Sequence, residues 1–245
     1  MIPEDQARDA RRMRAILVMA ATVAFVLSAF VTPGFDGFDP NRFPIPQVDP
    51  PVQPAGFAFS IWGLIYLWLL VSAATGLSFR ADRPDWDPPR WPLIGSLVVG
   101  TPWLAAANTS PPLATVMIWI MLALAVVALM RTPAEDRWLY QAPVGLYAGW
   151  LTAASAVATG ILAGGYGWLS PEVAAVVGIV IAGVVALTVL QILPRPCPEY
   201  AIAAGWGLFG IAFANFRTDP GLAVVAVAAL VLVLLRAFRP LMTRR

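Results

Sequence analysis

Eight long apolar runs, separated by short polar breaks, organise this chain. They cover residues 15–31, 56–79, 92–108, 112–130, 141–165, 172–193, 199–216 and 221–236. Most approach the roughly 20 residues an α-helix needs to cross a bilayer, and the shorter ones reach it with flanking residues or local thinning. The breaks carry helix-start chemistry. Ser110-Pro111, Ser170-Pro171-Glu172 and Asp219-Pro220 each set a capping side chain before a proline at the first helical position. The pattern predicts an all-α integral membrane protein with eight transmembrane helices.

The arginines test that count independently. If the runs alternate across the bilayer from a cytoplasmic N-terminus, fourteen of the sixteen cations fall on one side, and none is lysine. Arg8, Arg11, Arg12 and Arg14 precede the first run, and Arg80, Arg83 and Arg90 lie in the second connection. Arg131 and Arg137 follow in the fourth, Arg195 in the sixth, and Arg236, Arg239, Arg244 and Arg245 at the C-terminal end. Only Arg42 and Arg217 fall opposite. One span more or fewer would scatter the asymmetry, so the positive-inside rule places both termini in the cytoplasm. Glu4, Asp5 and Asp9 in the basic start, and Thr32-Pro33-Gly34 after the first run, fit a retained span better than a cleaved leader.

Composition narrows the class. The chain is 59% hydrophobic and 12% charged, with a mean hydropathy of +0.74, against roughly 25% charged in a soluble domain. The solvent for most of this surface is therefore lipid. There is no histidine and one cysteine, Cys197, which removes histidine acid/base chemistry and an internal disulfide and disfavours structural zinc. A net charge of +2 gives no footprint for nucleic acid. Away from their ends the runs hold no Asp, Glu, Lys or Arg. Proton pumps and ion-coupled carriers place such groups at mid-membrane, so the chain reads as neither a pump nor an enzyme.

What remains inside is aromatic. Phe59, Trp62, Tyr66, Leu69 and Ala73 share one face of the second helix by their 3,4,3,4 spacing. Trp103 and Asn108 on the third helix, Trp119 on the fourth and Trp150 on the fifth fall in the same half of the bilayer. Above them lies the segment 32–55, with seven prolines and with Phe35, Phe38 and Phe43, which predicts a loop folded back as a cap. Trp86, Trp91, Trp138 and Trp168 sit at loop edges and read as an interfacial belt. The deeper tryptophans fit either helix–helix contact or a pocket.

The stretch Pro54–Tyr66, PAGFAFSIWGLIY, resembles the second helix of the TspO/MBR family, the tryptophan-rich sensory or translocator proteins, with Trp62 and Tyr66 matching its W-x-x-x-Y. The Pro-rich loop before it, the short turn Asn108–Pro111, and Pro143, Tyr147 and Trp150 in APVGLYAGWLTAAS agree. Phe57-Ala58-Phe59 stands where the family has Trp-x-Phe, and Val157 and Ala158 stand where it has an asparagine. The likeness covers about residues 15–165, and three further spans place the chain with the longer, eight-span bacterial branch.

The resemblance implies a five-helix core over 15–168 with the external loop 32–55, and added helices over 169–238. Cytoplasmic tails would span 1–14 and 239–245, in a bacterial inner membrane. It also implies a sensor that takes a flat hydrophobic ligand, tetrapyrrole- or sterol-like, with no required cofactor and with a porphyrin as a candidate ligand. The expected lining is Phe43, Phe59, Trp62, Tyr66, Trp103, Asn108, Trp119, Tyr147, Trp150 and Ser155. Two alternatives stand beside this reading: a subunit of a larger membrane complex, and a facilitative carrier of a lipophilic metabolite. Small residues at Ala203, Gly207, Gly210 and Ala214 suit close helix contact inside the protein or with a homodimer or complex partner. Cys197-Pro198 reads as a helix start, with Glu199 at its positive end.

Overall fold

The computed structural model describes residues 4–32 and 37–242, with side chains to residue 238. Phe35, one of the three loop phenylalanines, lies outside the described residues. Nine α-helices are present among the described residues: α1 Glu4–Val31, α2 Ile61–Ser78, α3 Arg90–Gly100, α4 Trp103–Thr109, α5 Pro111–Met130, α6 Gln141–Gly165, α7 Pro171–Ile192, α8 Pro198–Asn215 and α9 Pro220–Met242. Six helical segments are long and apolar enough to cross a membrane. The other two expected crossings are α3–α4 and α8. The run 92–108 reads as one helix but breaks at Thr101-Pro102, where proline has no N–H to continue the ladder. Glu199, three glycines and Asn215 dilute α8, which α6 and α9 cover. The protein is an all-α, multi-pass membrane protein of eight rods.

Helix starts follow the expected chemistry. Ser110 and Ser170 accept from the N–H groups of Leu113 and Val173, and Asp219 accepts from that of Leu222. The second span differs: Gly56–Ser60 form a 3-10 turn before α2 begins at Ile61.

At the centre stands α6, which packs against α2, α5, α7 and α8. Every residue in it is buried except Ala154, Val157, Thr159 and Leu162. A helix surrounded on all sides needs small residues where its neighbours cross. Cβ atoms added at Gly145 and Gly149 would overlap the Cys197 thiol and the Tyr200 carbonyl, and one at Gly207 would overlap Ala153. The Thr152 and Tyr200 hydroxyls share a hydrogen bond of 2.8 Å across the seam. Ala203 and Gly207 are therefore consumed by contact with α6, and Gly210 by contact with Pro54 and Ala58. Of the small-residue face of α8, only Ala214 is left exposed.

Polar contacts tie each end together. At the arginine-rich end, Arg14 forks onto Asp87 at 2.8 and 2.7 Å, Arg8 reaches Asp82, and Arg137 reaches Glu199. Arg90 is 2% exposed, and its guanidinium donates to the carbonyls of Arg11, Ala81 and Arg80. Trp86 departs from the belt expected of it: it is 2% exposed, tilted against Tyr140 at 4.5 Å, and donates to Asp136. Trp91, Trp138 and Trp168 are exposed.

At the opposite end the loop is docked, with Phe38 and Phe43 buried. Ile45 N–H donates to the Gly165 carbonyl, Ala55 N–H to that of Gly210, and Asn215 Nδ2 to that of Pro51. Phe43 lies where a side chain on residue 165 would stand, so glycine there is required.

Two predictions follow from these contacts. Gly149→Ala drives a methyl group into the α8 backbone and should lower stability by about 3 kcal/mol. Gly63→Ala, which meets nothing within 4 Å, should be neutral or slightly stabilising; thermal unfolding in detergent compares them. Arg80, forked onto Asp136 and helped by the Trp86 indole, holds that carboxyl below its usual range. Its contribution is thus present above the unfolded carboxylate value and lost as pH falls through the folded one, below about 4. Asp136 has φ 55°, which asparagine tolerates. Asp136→Asn should therefore cost about 1 kcal/mol at pH 7, and the difference should vanish by about pH 3 in melts followed across pH.

Candidate functional site

Beneath the docked loop, four α-helices and the 3-10 turn before α2 contribute aromatic rings to one cluster. Trp62, in the first turn of α2, stacks on Tyr66 at 5.3 Å and meets Phe25 of α1 edge-on at 6.0 Å. Trp150 of α6 lies edge-to-face with Trp62 at 6.2 Å and with Phe59 at 5.9 Å. Tyr147, one turn earlier on α6, contacts Phe25 and Trp62. Trp103 opens α4 directly after the break at Pro102, so the broken third span swings this indole into the cluster.

Phe59, Trp62, Trp103 and Ile118 form a partition with a cavity on each face. The first cavity, about 40 Å³, lies under the loop, with Phe38, Gln53, Pro54, Trp150, Ala154, Val157, Ala158 and Gly207 among its walls. The second, about 180 Å³, lies between α1, α2 and α3–α5 and is bounded by Phe25, Ser28, Tyr66, Leu104 and Met121. Neither has an ionisable wall other than the Tyr66 phenol. Ala154 and Val157, two of the four residues of α6 that are not buried, face the first cavity.

The polar groups around the partition are mostly engaged. Trp103 Nε1 donates to the Ala114 carbonyl at 2.9 Å, and Trp119 Nε1 to Thr159 Oγ1 at 3.0 Å. Ser155 Oγ donates to the Ile118 carbonyl, and the Tyr147 hydroxyl pairs with Ser96 Oγ at 3.0 Å. Trp150 is the exception. Its side chain is 1% exposed, and its Nε1 is buried with no acceptor. A buried orphan donor costs about 1–3 kcal/mol, and this one belongs to a ring that lines the first cavity.

Of the residues expected from the sequence, Phe59, Trp62, Trp103 and Trp150 line the first cavity, and Tyr66 lines the second with Phe59, Trp62 and Trp103. Tyr147 backs the cluster without reaching either cavity. Trp119 and Ser155 tie α5 to α6, and half-buried Asn108 lines neither cavity. Phe43 pins the loop to the end of α6. The apolar pair Val157 and Ala158, noted above as a departure from the family pattern, stands on the cavity wall. The contributions of Phe25, Ile118 and Gly207 were not foreseen. Only Gly207 carried a signal, as a member of the small-residue face.

Among the described residues no cluster of three or more Cys, Asp or Glu could hold a metal ion. Cys197 is buried against Gly145, and burial pushes its thiol up to about 12, so it is not a ready thiolate ligand.

A family model described as TSPO-like protein matches residues 15–239. No curated protein and no solved structure matches the chain.

The contrast between two tryptophans is testable by melting in detergent. Trp103→Phe deletes a made hydrogen bond, whereas Trp150→Phe deletes an unmade one. Trp103→Phe should be the more destabilising by about 1 kcal/mol, and an equal loss would mean that the Trp150 indole has an acceptor.

Proposed function

The chain belongs to the TSPO-like protein family, and on that premise we propose that it is a membrane receptor for a flat hydrophobic ligand bound beneath the first loop. The observation that carries the reading is an apolar cavity lined by Trp150, whose buried N–H has no acceptor. Ring stacking and apolar burial would supply affinity, and that N–H would orient a carbonyl or other acceptor on the ligand. No side chain here is assigned a catalytic role. The one-sided arginines of the sequence support cytoplasmic termini, and the resemblance supports a bacterial inner membrane.

Ligand sites usually enclose about 300–1,000 Å³, and cavities of about 40 and 180 Å³ are smaller. A porphyrin- or sterol-sized guest would therefore displace the partition of Phe59, Trp62 and Trp103 and join the two spaces. Trp62 touches both α1 and α6 through Phe25 and Tyr147, so this displacement gives binding a structural output.

Tryptophan quenching by protoporphyrin IX in nanodiscs, corrected for partitioning into empty discs, tests this proposal. The wild type should bind saturably in the micromolar range. Trp150→Phe should weaken binding about tenfold. Val157→Phe fills the first cavity while keeping all ten tryptophans, and should abolish it. Quenching equal to that of empty discs removes the tetrapyrrole, and saturable binding indifferent to both variants moves the site elsewhere.

A further inference from the structure

A second candidate site lies at the opposite end of the molecule, outside the aromatic cluster. The end of α7, the turn to α8 and the last turns of α9 enclose a cleft of about 240 Å³. Its walls include Leu190, Gln191, Arg195, Cys197, Arg236 and Ala237, with two guanidinium groups and no carboxylate. Glu199, the acid of the adjoining turn, is already engaged by Arg137.

Neither cation has a carboxylate partner among the described residues. Arg195 donates through one Nη to the Thr132 carbonyl, which anchors it, but its Nε is buried and has no acceptor. Arg236 is half-buried on α9 and makes no ion pair or hydrogen bond with another described residue. Two guanidinium groups without a counter-ion in a partly enclosed space are unfavourable unless an anion joins them. The guanidinium fork matches phosphate oxygens. The surroundings suggest where that phosphate comes from. Exposed Ile192 continues the cleft along α7, and exposed Leu232 and Leu235 continue it along α9. These exposed apolar side chains stand next to or within about one helical turn of the cleft residues Gln191 and Arg236, where acyl chains attached to a head group can lie.

We propose that this cleft binds the phosphate of an anionic phospholipid, with Arg195 and Arg236 as the two donors. Basic pockets between helix ends at the cytoplasmic side are a recognised setting for such head groups. The site is independent of the aromatic cavities, and Cys197 contributes only wall.

Native mass spectrometry of the full chain in detergent, titrated separately with dioleoyl phosphatidylglycerol and dioleoyl phosphatidylcholine, provides the test. Phosphatidylglycerol should bind at least about tenfold more tightly, and Arg236→Gln should remove about that factor. The variant breaks no hydrogen bond or ion pair among the described residues, so it should remain folded. Arg131→Gln removes the same charge from an exposed position at the same end, outside the cleft, and should leave lipid binding unchanged. Equal affinity for the two lipids, or equal losses from Arg131→Gln and Arg236→Gln, overturns the site in favour of diffuse electrostatic attraction. Glycerol 3-phosphate separates the sources. Displacement of the lipid at matched concentration upholds the anion site but assigns it to a soluble phosphate ester, and retention of the lipid assigns it to the bilayer.

Discussion

The rest of the structure depends on a helix that has no outer face. α6 runs through the middle of the bundle with neighbours on four sides, so its side-chain volume is dictated by how near those neighbours come. Where α8 crosses, the clearance is less than one methyl group, and Gly145, Gly149 and Gly207 are the only solution. Hydrophobic attraction between helices is weak in lipid, so dispersion at close contact and a few buried hydrogen bonds must hold the seam. The Thr152–Tyr200 hydroxyl pair supplies one of those bonds. α6 widens into aromatic rings only at Tyr147 and Trp150, and there the cavities appear.

The aromatic cluster follows from this. Trp150 can be bulky because Gly207 beside it is small, and both residues line the first cavity. Phe59 and Trp62 come from the junction where a 3-10 turn becomes α2, and Trp103 from a helix that restarts after Pro102. Three of the four residues of the partition thus come from helix starts and breaks, and only Ile118 lies inside a helix. Segments of this kind rearrange more easily than helix interiors, because fewer ladder bonds hold them.

Much of the fold was legible from the sequence. Hydrophobic run lengths, proline-led starts and one-sided arginines depend on local chemistry and on lipid thickness, and these fixed the class and the number of rods. Phe59, Trp62, Trp103 and Trp150 were legible as a set because helical periodicity and depth place them together. Contacts between distant segments were not legible. Asn108 and Ser155 belong to the lining expected from the resemblance, yet Ser155 bonds the Ile118 carbonyl and Asn108 lines neither cavity. Trp86 has the sequence position of a belt residue, but the turn at Asp136 draws it inward, since that carboxylate and Tyr140 together satisfy both ends of the indole. Phe25 sits on a helix with little pattern of its own, and only tertiary contact identifies it.

The loop bonds to the far end of α8 through Ala55 and Gly210, and through Asn215 and Pro51. Trp206 also reaches from α8 to the Ala58 carbonyl. α8 therefore serves as scaffold for an element that precedes it by more than a hundred residues. A chain ending after α6 would not be a smaller version of this protein. It would lack the floor on which the loop rests and one wall of the first cavity, and it would leave backbone groups of the loop to find other partners. During synthesis the loop's final arrangement must wait for α8, so the site beneath it is among the last parts of the molecule to take shape.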